Sequence, residues 1–98
     1  MQETTYHIGK YGLMRKQYLQ NHRKGLFAIL LTSGKLYSHL AEIDQTANDR
    51  MELITRQMAE REGVTEQLKV ENQMLWVQKI NNIRNRVEEI ILHELIYS

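Results

Sequence analysis

The chain has no cysteine, no proline and only five glycines among its 98 residues. Without cysteine there is no disulfide framework, no thiolate nucleophile and no cysteine-based metal site. Without proline, and with few glycines, little punctuates the loops and long helices are favoured. No long apolar run is present: the longest, LFAILL at residues 26–31, falls far short of the ~20 residues a membrane-spanning helix needs. The opening MQETTYHIGK lacks the apolar core of a signal peptide. A cytoplasmic protein that makes no membrane contact is therefore expected.

What is there is ordinary for a soluble domain: 42% hydrophobic and 26% charged residues. The length allows one domain, residues 1–98. The net charge of +1 hides an asymmetry. Residues 1–35 hold six basic side chains (Lys10, Arg15, Lys16, Arg23, Lys24, Lys35) against Glu3, a balance of +5. Residues 36–98 balance at −4. A basic head on an acidic body is compatible with contact to polyanions, and these six cations are the candidate nucleic-acid-binding set.

Hydrophobic periodicity predicts an all-α fold. Residues 1–9 show no helical period and read as extended or disordered. Lys10 to about His22 reads as a short helix with Tyr11, Met14 and Tyr18 on one face, ended near Gly25. A second short helix follows at about 26–33; apolar on most sides, it belongs in a core or an interface. Leu36, Leu40, Ile43, Ala47, Met51, Ile54 and Met58 then mark a long helix over 36–62, roughly 40 Å at the standard rise. Their spacing of eleven residues per three turns suits a nearly straight helix. EREGVTE is a stop and restart, with Gly63 as the left-handed residue and Thr65 as the next cap. The last helix is expected over 66–97, antiparallel to the third.

QKINNIRNR, residues 78–86, mixes the Arg and Asn side chains that read base edges in a major groove. On a helical wheel the reading weakens. Trp76, Ile80, Ile83, Val87, Ile90 and Ile91 form an apolar stripe, Lys79 and Arg86 flank one side, and Arg84 flanks the other. Glu88 and Glu89 stand at pairing distance from the arginines. A solvated flank beside an interface is the better reading.

Other constellations fare less well. A helix-turn-helix over residues 10–33 would need polar side chains on its second helix, where LFAILLTS offers Leu and Phe. His39 and Glu42 have the spacing of a helical ligand pair in reversed order, with no second copy to complete a di-iron site. No phosphate loop, nucleophile elbow or zinc-protease motif occurs. No enzyme activity, cofactor, metal or small-molecule substrate is expected. Apolar stripes as long as those of the hairpin cannot be covered by two short helices alone. A homodimer, completing a helical bundle through a seam at Trp76, Ile80, Ile83 and Val87, is the expected solution.

LLTSGKL (30–36), LAEIDQ (40–45), AEREGVTEQLK (59–69), ENQM (71–74), NNIRNR (81–86) and HELIY (93–97) together resemble the TnpV family of transposon-encoded proteins over roughly residues 6–98. The segment YHIGKYG departs from the family's pattern, passing straight into the first helix without an acidic, proline-containing insert. The resemblance implies a bacterial mobile element as the setting and carries over no functional residue. Two functions are expected from it and the charge pattern. One is a DNA-associated accessory factor assisting or regulating excision. The alternative is a helical module that binds another protein, such as a recombinase, without touching DNA.

Overall fold

The structure, a computed structural model, describes residues 6–98. It is all-α, with no strand among the described residues. The helices are α1 (Lys10–His22), α2 (Lys24–Thr32), α3 (Leu36–Arg61), α4 (Glu66–Glu71) and α5 (Gln73–Ile91), and a π-helical turn, Leu92–Ile96, closes the chain. The expectation for residues 1–9 lies partly outside the described residues; residues 6–9 are non-helical.

Two of the turns follow from local chemistry. Gly63 takes φ +74°, a conformation L side chains resist. The Val64 N–H then reaches back to the Ala59 carbonyl at 2.8 Å, and the Gly63 N–H to that of Glu60 at 3.3 Å. This is a Schellman ending, completed by burial of both Val64 and Ala59 in the core. Gly34, at φ +75°, repeats the device: Lys35 N–H bonds Leu30 O and Gly34 N–H bonds Leu31 O. Thr65 caps α4 by accepting from the Leu68 N–H at 3.3 Å.

Three sequence expectations change. The first short helix ends at Arg23 (φ −135°, ψ 56°), not at Gly25, which lies in the first turn of α2. The apolar second helix is only half covered: Leu26, Phe27 and Leu30 pack on Leu19, Leu36 and Leu40, while Ile29 and Leu31 stay exposed. The last helix breaks at Asn72, whose backbone leaves the helical region (φ −150°, ψ 85°). Its side-chain oxygen accepts from the Leu75 N–H at 3.2 Å. Asn favours such a cap over a helix interior because its side chain competes for backbone hydrogens.

Contacts between helices set their directions. Gly12 meets Asp44, Arg15 meets His39 and Lys16 meets Tyr37, so α1 and α3 are antiparallel. Arg86 pairs with Glu62 and Arg50 with Glu94, so α3 and α5 are antiparallel too. Lys10 with Glu88 and Arg15 with Ile96 make α1 parallel to α5. One end of the molecule thus gathers the C-terminus of α1, all of α2, the N-terminus of α3 and the closing turn. The other holds the Gly63 turn and α4. The molecule is 54 Å long but only 18 Å in its thinnest direction, less than two helix diameters of ~10–12 Å.

The buried face of α1 is Tyr11, Gly12, Arg15 and Leu19, rotated from the predicted Tyr11–Met14–Tyr18 stripe; Met14 and Tyr18 are half-buried. Gly12 explains the rotation. A Cβ there would lie 3.0 Å from the Leu40 carbonyl oxygen and 2.4 Å from the Ile8 side chain, so only glycine lets the backbones approach this closely.

Candidate nucleic-acid interface

The six candidate cations separate once folded. Arg15 is buried, 6% exposed. Its Nη1 donates to the carbonyl oxygens of Ile96 at 3.0 Å and Leu95 at 3.5 Å, and to the main-chain oxygen of Ser98 at 2.8 Å. Its Nε faces His39 Nε2 at 3.4 Å. These are the orphan carbonyls that a helix C-terminus leaves unpaired, and a cation there also answers the negative end of the helix dipole. Arg15 is thus a structural cap that no phosphate can reach, a correction to its place in the binding set. Burial is the main cause that lowers its pKa; Tyr18 opposes this and Arg23 adds to it.

Lys10 is exposed, but its Nζ lies 3.1 Å from Glu88, which also accepts from the Tyr11 hydroxyl. Burial first, then the Glu88 charge, raises the Tyr11 pKa. Lys16 Nζ reaches the Tyr37 hydroxyl at 3.3 Å and sits over its ring. Arg23, Lys24 and Lys35 are exposed. Neither Lys16 nor these three pairs with a carboxylate among the described residues.

The fold brings these four together at one end. Arg23 and Lys24 form the α1–α2 junction and Lys35 the α2–α3 junction, and both junctions lie where antiparallel α1 and α3 meet. Residues 6–41 contain no Asp or Glu at all, so α1, α2 and the start of α3 bring no acidic side chain until Glu42; Glu94 of the closing turn pairs with Arg50.

Residues 78–86 take the solvated-flank reading. Ile83 is buried, whereas Lys79, Asn81, Asn82, Arg84, Asn85 and Arg86 are exposed. Arg86 Nη2 bonds both Glu62 oxygens at 2.8 and 2.9 Å. That hydrogen bonding is the first cause lowering the Glu62 pKa and raising that of Arg86. The pairings foreseen with Glu88 and Glu89 give way, because Glu88 turns to Lys10 and Tyr11.

The expected seam also divides. Ile83 and Val87 are 1% and 0% exposed within a single chain, closed in by α1 and α3, so they belong to the internal core and not to a surface. Trp76 and Ile80 are half-buried. They face a groove between α3 and α5 beyond the N-terminus of α1, lined by Asn48, Met51, Thr55 and Arg84, then by Ala59, Val64, Trp76 and Ile80. Lys69 Nζ lies 4.8 Å from the Trp76 ring.

Among the described residues no group of three or more His, Asp or Glu is placed to hold a metal ion, and no helix is long and apolar enough to cross a membrane. His39, the one ligand candidate, points its Nε2 at the Arg15 guanidinium.

Sequence reasoning missed the roles of Arg15 and Asp44. Asp44, 6% exposed, accepts from the Gly12 N–H across 32 positions of sequence. No local signal marks either residue, since both partners are distant in the chain.

A small all-α protein with one basic end is the class these features define. The chain belongs to the TnpV family: the model of the transposon-encoded protein TnpV matches residues 1–96. No curated protein and no solved structure matches it.

Proposed function

We propose that this protein is a non-enzymatic accessory factor of a bacterial transposon that holds DNA phosphates at its basic end, in the cytoplasm, and assists or regulates excision. The observation that carries this reading is the cluster of half-buried Lys16 and exposed Arg23, Lys24 and Lys35, with no carboxylate partner among the described residues and no Asp or Glu on α1, α2 or the start of α3 before Glu42. Cations so placed release condensed counterions when they meet a duplex. Membership of a transposon-encoded family is consistent with a DNA substrate. The test is a fluorescence-anisotropy titration against transposon-end and scrambled duplexes at two salt concentrations. The Lys16/Arg23/Lys24/Lys35→Ala variant is expected to lose binding while staying folded. Undiminished binding by that variant defeats the reading. Tighter binding to the end sequence would add specificity; equal, salt-sensitive binding to both would mean charge attraction alone.

A second reading, a homodimer or a partner-binding helical module such as one that docks a recombinase, is favoured by one observation. The groove at Trp76 and Ile80 is apolar at its centre, and the buried Thr55 Oγ1 on its wall finds no hydrogen-bond partner. On α4 and in the first turn of α5, Val70 and Met74 are 85% and 76% exposed. A second copy docking there would complete the helical layer that α1 begins, and the mixed charges of Glu66, Lys69 and Glu71 allow two-fold self-pairing. Sedimentation equilibrium of the wild type and of Ile80→Asp decides it: a wild-type monomer at all concentrations removes the dimer.

A further inference from the structure

At the basic end, α1 and the closing turn leave a second cleft, of about 460 Å³. Clefts of roughly 300–1,000 Å³ are the size that takes small molecules or single chemical groups. Met14, Gln17, Tyr18, Asn21, His22 and Tyr97 line it. The Tyr18 and His22 rings lie 5.4 Å apart at 33°, and Tyr18 and Tyr97 lie 5.5 Å apart at 53°.

The walls define the ligand. Three tilted rings and a thioether offer flat, polarisable faces to a planar group. Gln17 and Asn21, both exposed, each present an amide donor and an acceptor, which matches the edge of a nucleobase. No carboxylate lines the cleft, and Arg23 directly follows His22 in sequence. A planar group with hydrogen-bonding edges and an attached negative charge meets all three conditions. Bases inside a duplex have both faces covered by their neighbours, whereas an unpaired nucleotide presents such a group free.

We infer that this cleft holds an unpaired nucleobase of a single strand. Tyr97 stacks on the base, Asn21 and Gln17 bond its edge, and Arg23 faces its phosphate. The inference deepens the DNA reading by adding a preference for strand ends or tails, and its test separates the two.

Anisotropy is read for three probes: a blunt duplex, the same duplex with a thymidine tail, and the same duplex with an abasic tail. The two tails carry equal charge and differ only in bases. Stacking on an aromatic side chain should tighten the thymidine tail roughly tenfold over the abasic tail. Tyr97→Leu should remove that difference and leave blunt-duplex binding unchanged. Asn21→Ala, on an exposed helical position, should reduce it with no cost to folding, as checked by circular dichroism. Equal affinity for the two tails overturns the inference while leaving the phosphate-binding reading intact. Binding of the thymidine tail alone, lost in Tyr97→Leu, supports the inference and overturns the duplex reading. Binding of no probe overturns both. Thymidine monophosphate that saturates the cleft as tightly as the tail does overturns the strand assignment in favour of a free nucleotide.

Discussion

The carboxylate of Asp44 stands 3.0 Å from the backbone N–H of Gly12 and so caps α1 from a different helix. Gly9, at the N-cap position, has no side chain to do this. The first-turn N–H groups of a helix need an acceptor, and a negative charge there also suits the helix dipole. α1 is therefore held by two long-range polar contacts: Asp44 at its start, and Arg15, in its middle, gripping the carbonyls of the closing turn.

Removing the first anchor tests it directly. Asp44→Ala should destabilise the protein by about 1–3 kcal/mol, the cost of leaving a buried donor unsatisfied. Gly12→Ala should cost a comparable amount, about 1–3 kcal/mol, because the added methyl group meets the Leu40 carbonyl and the Ile8 side chain. Urea unfolding followed by circular dichroism reads both, and a neutral Gly12→Ala would show that the helices do not approach as described.

Arg15→Ala should lower stability by about 1.5–3 kcal/mol, the range for hydrogen bonds to charged groups. Arg15→Lys should recover only part of the loss, since an ammonium does not reproduce the guanidinium fork. Any DNA-binding defect in these variants should follow the unfolded fraction. A folded Arg15→Ala protein with lost DNA affinity would return Arg15 to the binding set.

Stability should fall on acidification through His39. Burial first, then the Arg15 charge, holds its imidazole below the ordinary value of 6.5, with Glu42 pulling the other way. The unfolded chain therefore binds the proton more readily than the folded one. The contribution is fully present above the unfolded value and is lost progressively as pH falls below it and through the folded value. Thermal melts above and below about pH 6.5 should show a steeper drop for the wild type than for His39→Gln. Parallel pH profiles would place the acid sensitivity elsewhere.

Ile83→Asp should unfold the monomer and not merely dissociate an assembly. The side chain is 1% exposed, and a carboxylate left there has no cation to pair with, a change that belongs with the most destabilising substitutions. Ile80→Asp, at the half-buried groove, should keep helical circular dichroism close to that of the wild type. If both variants melt alike, the groove at Ile80 is part of the core.

In salt titrations Lys16, Arg23, Lys24 and Lys35 should together give log K a slope of about −3 to −4 against log salt for a monomer, about 0.9 per phosphate neutralised. Each single alanine substitution should reduce that slope by about one. Lys10→Ala, which removes a partner of Glu88, should leave it nearly unchanged.

The all-α fold, the turn at Gly63, the Thr65 cap, the segregation of charge and the family were all legible in the sequence. The turn, the cap and the helical periodicity depend on side chains and backbone groups within a few residues of one another, where sterics and local hydrogen bonds decide. The break at Asn72 is equally local, an Asn side chain capping the Leu75 N–H, and the sequence reading ran one helix across it. The tertiary structure alone decided which cations face solvent, since Arg15 meets Ile96 across 81 positions. It also decided which apolar residues face a groove, since Ile83 and Val87 close against α1 and α3 while Trp76 and Ile80 lie beyond the end of α1. One helical stripe looks the same in sequence along its whole length; only the neighbour packed against each turn determines whether that turn is core or surface.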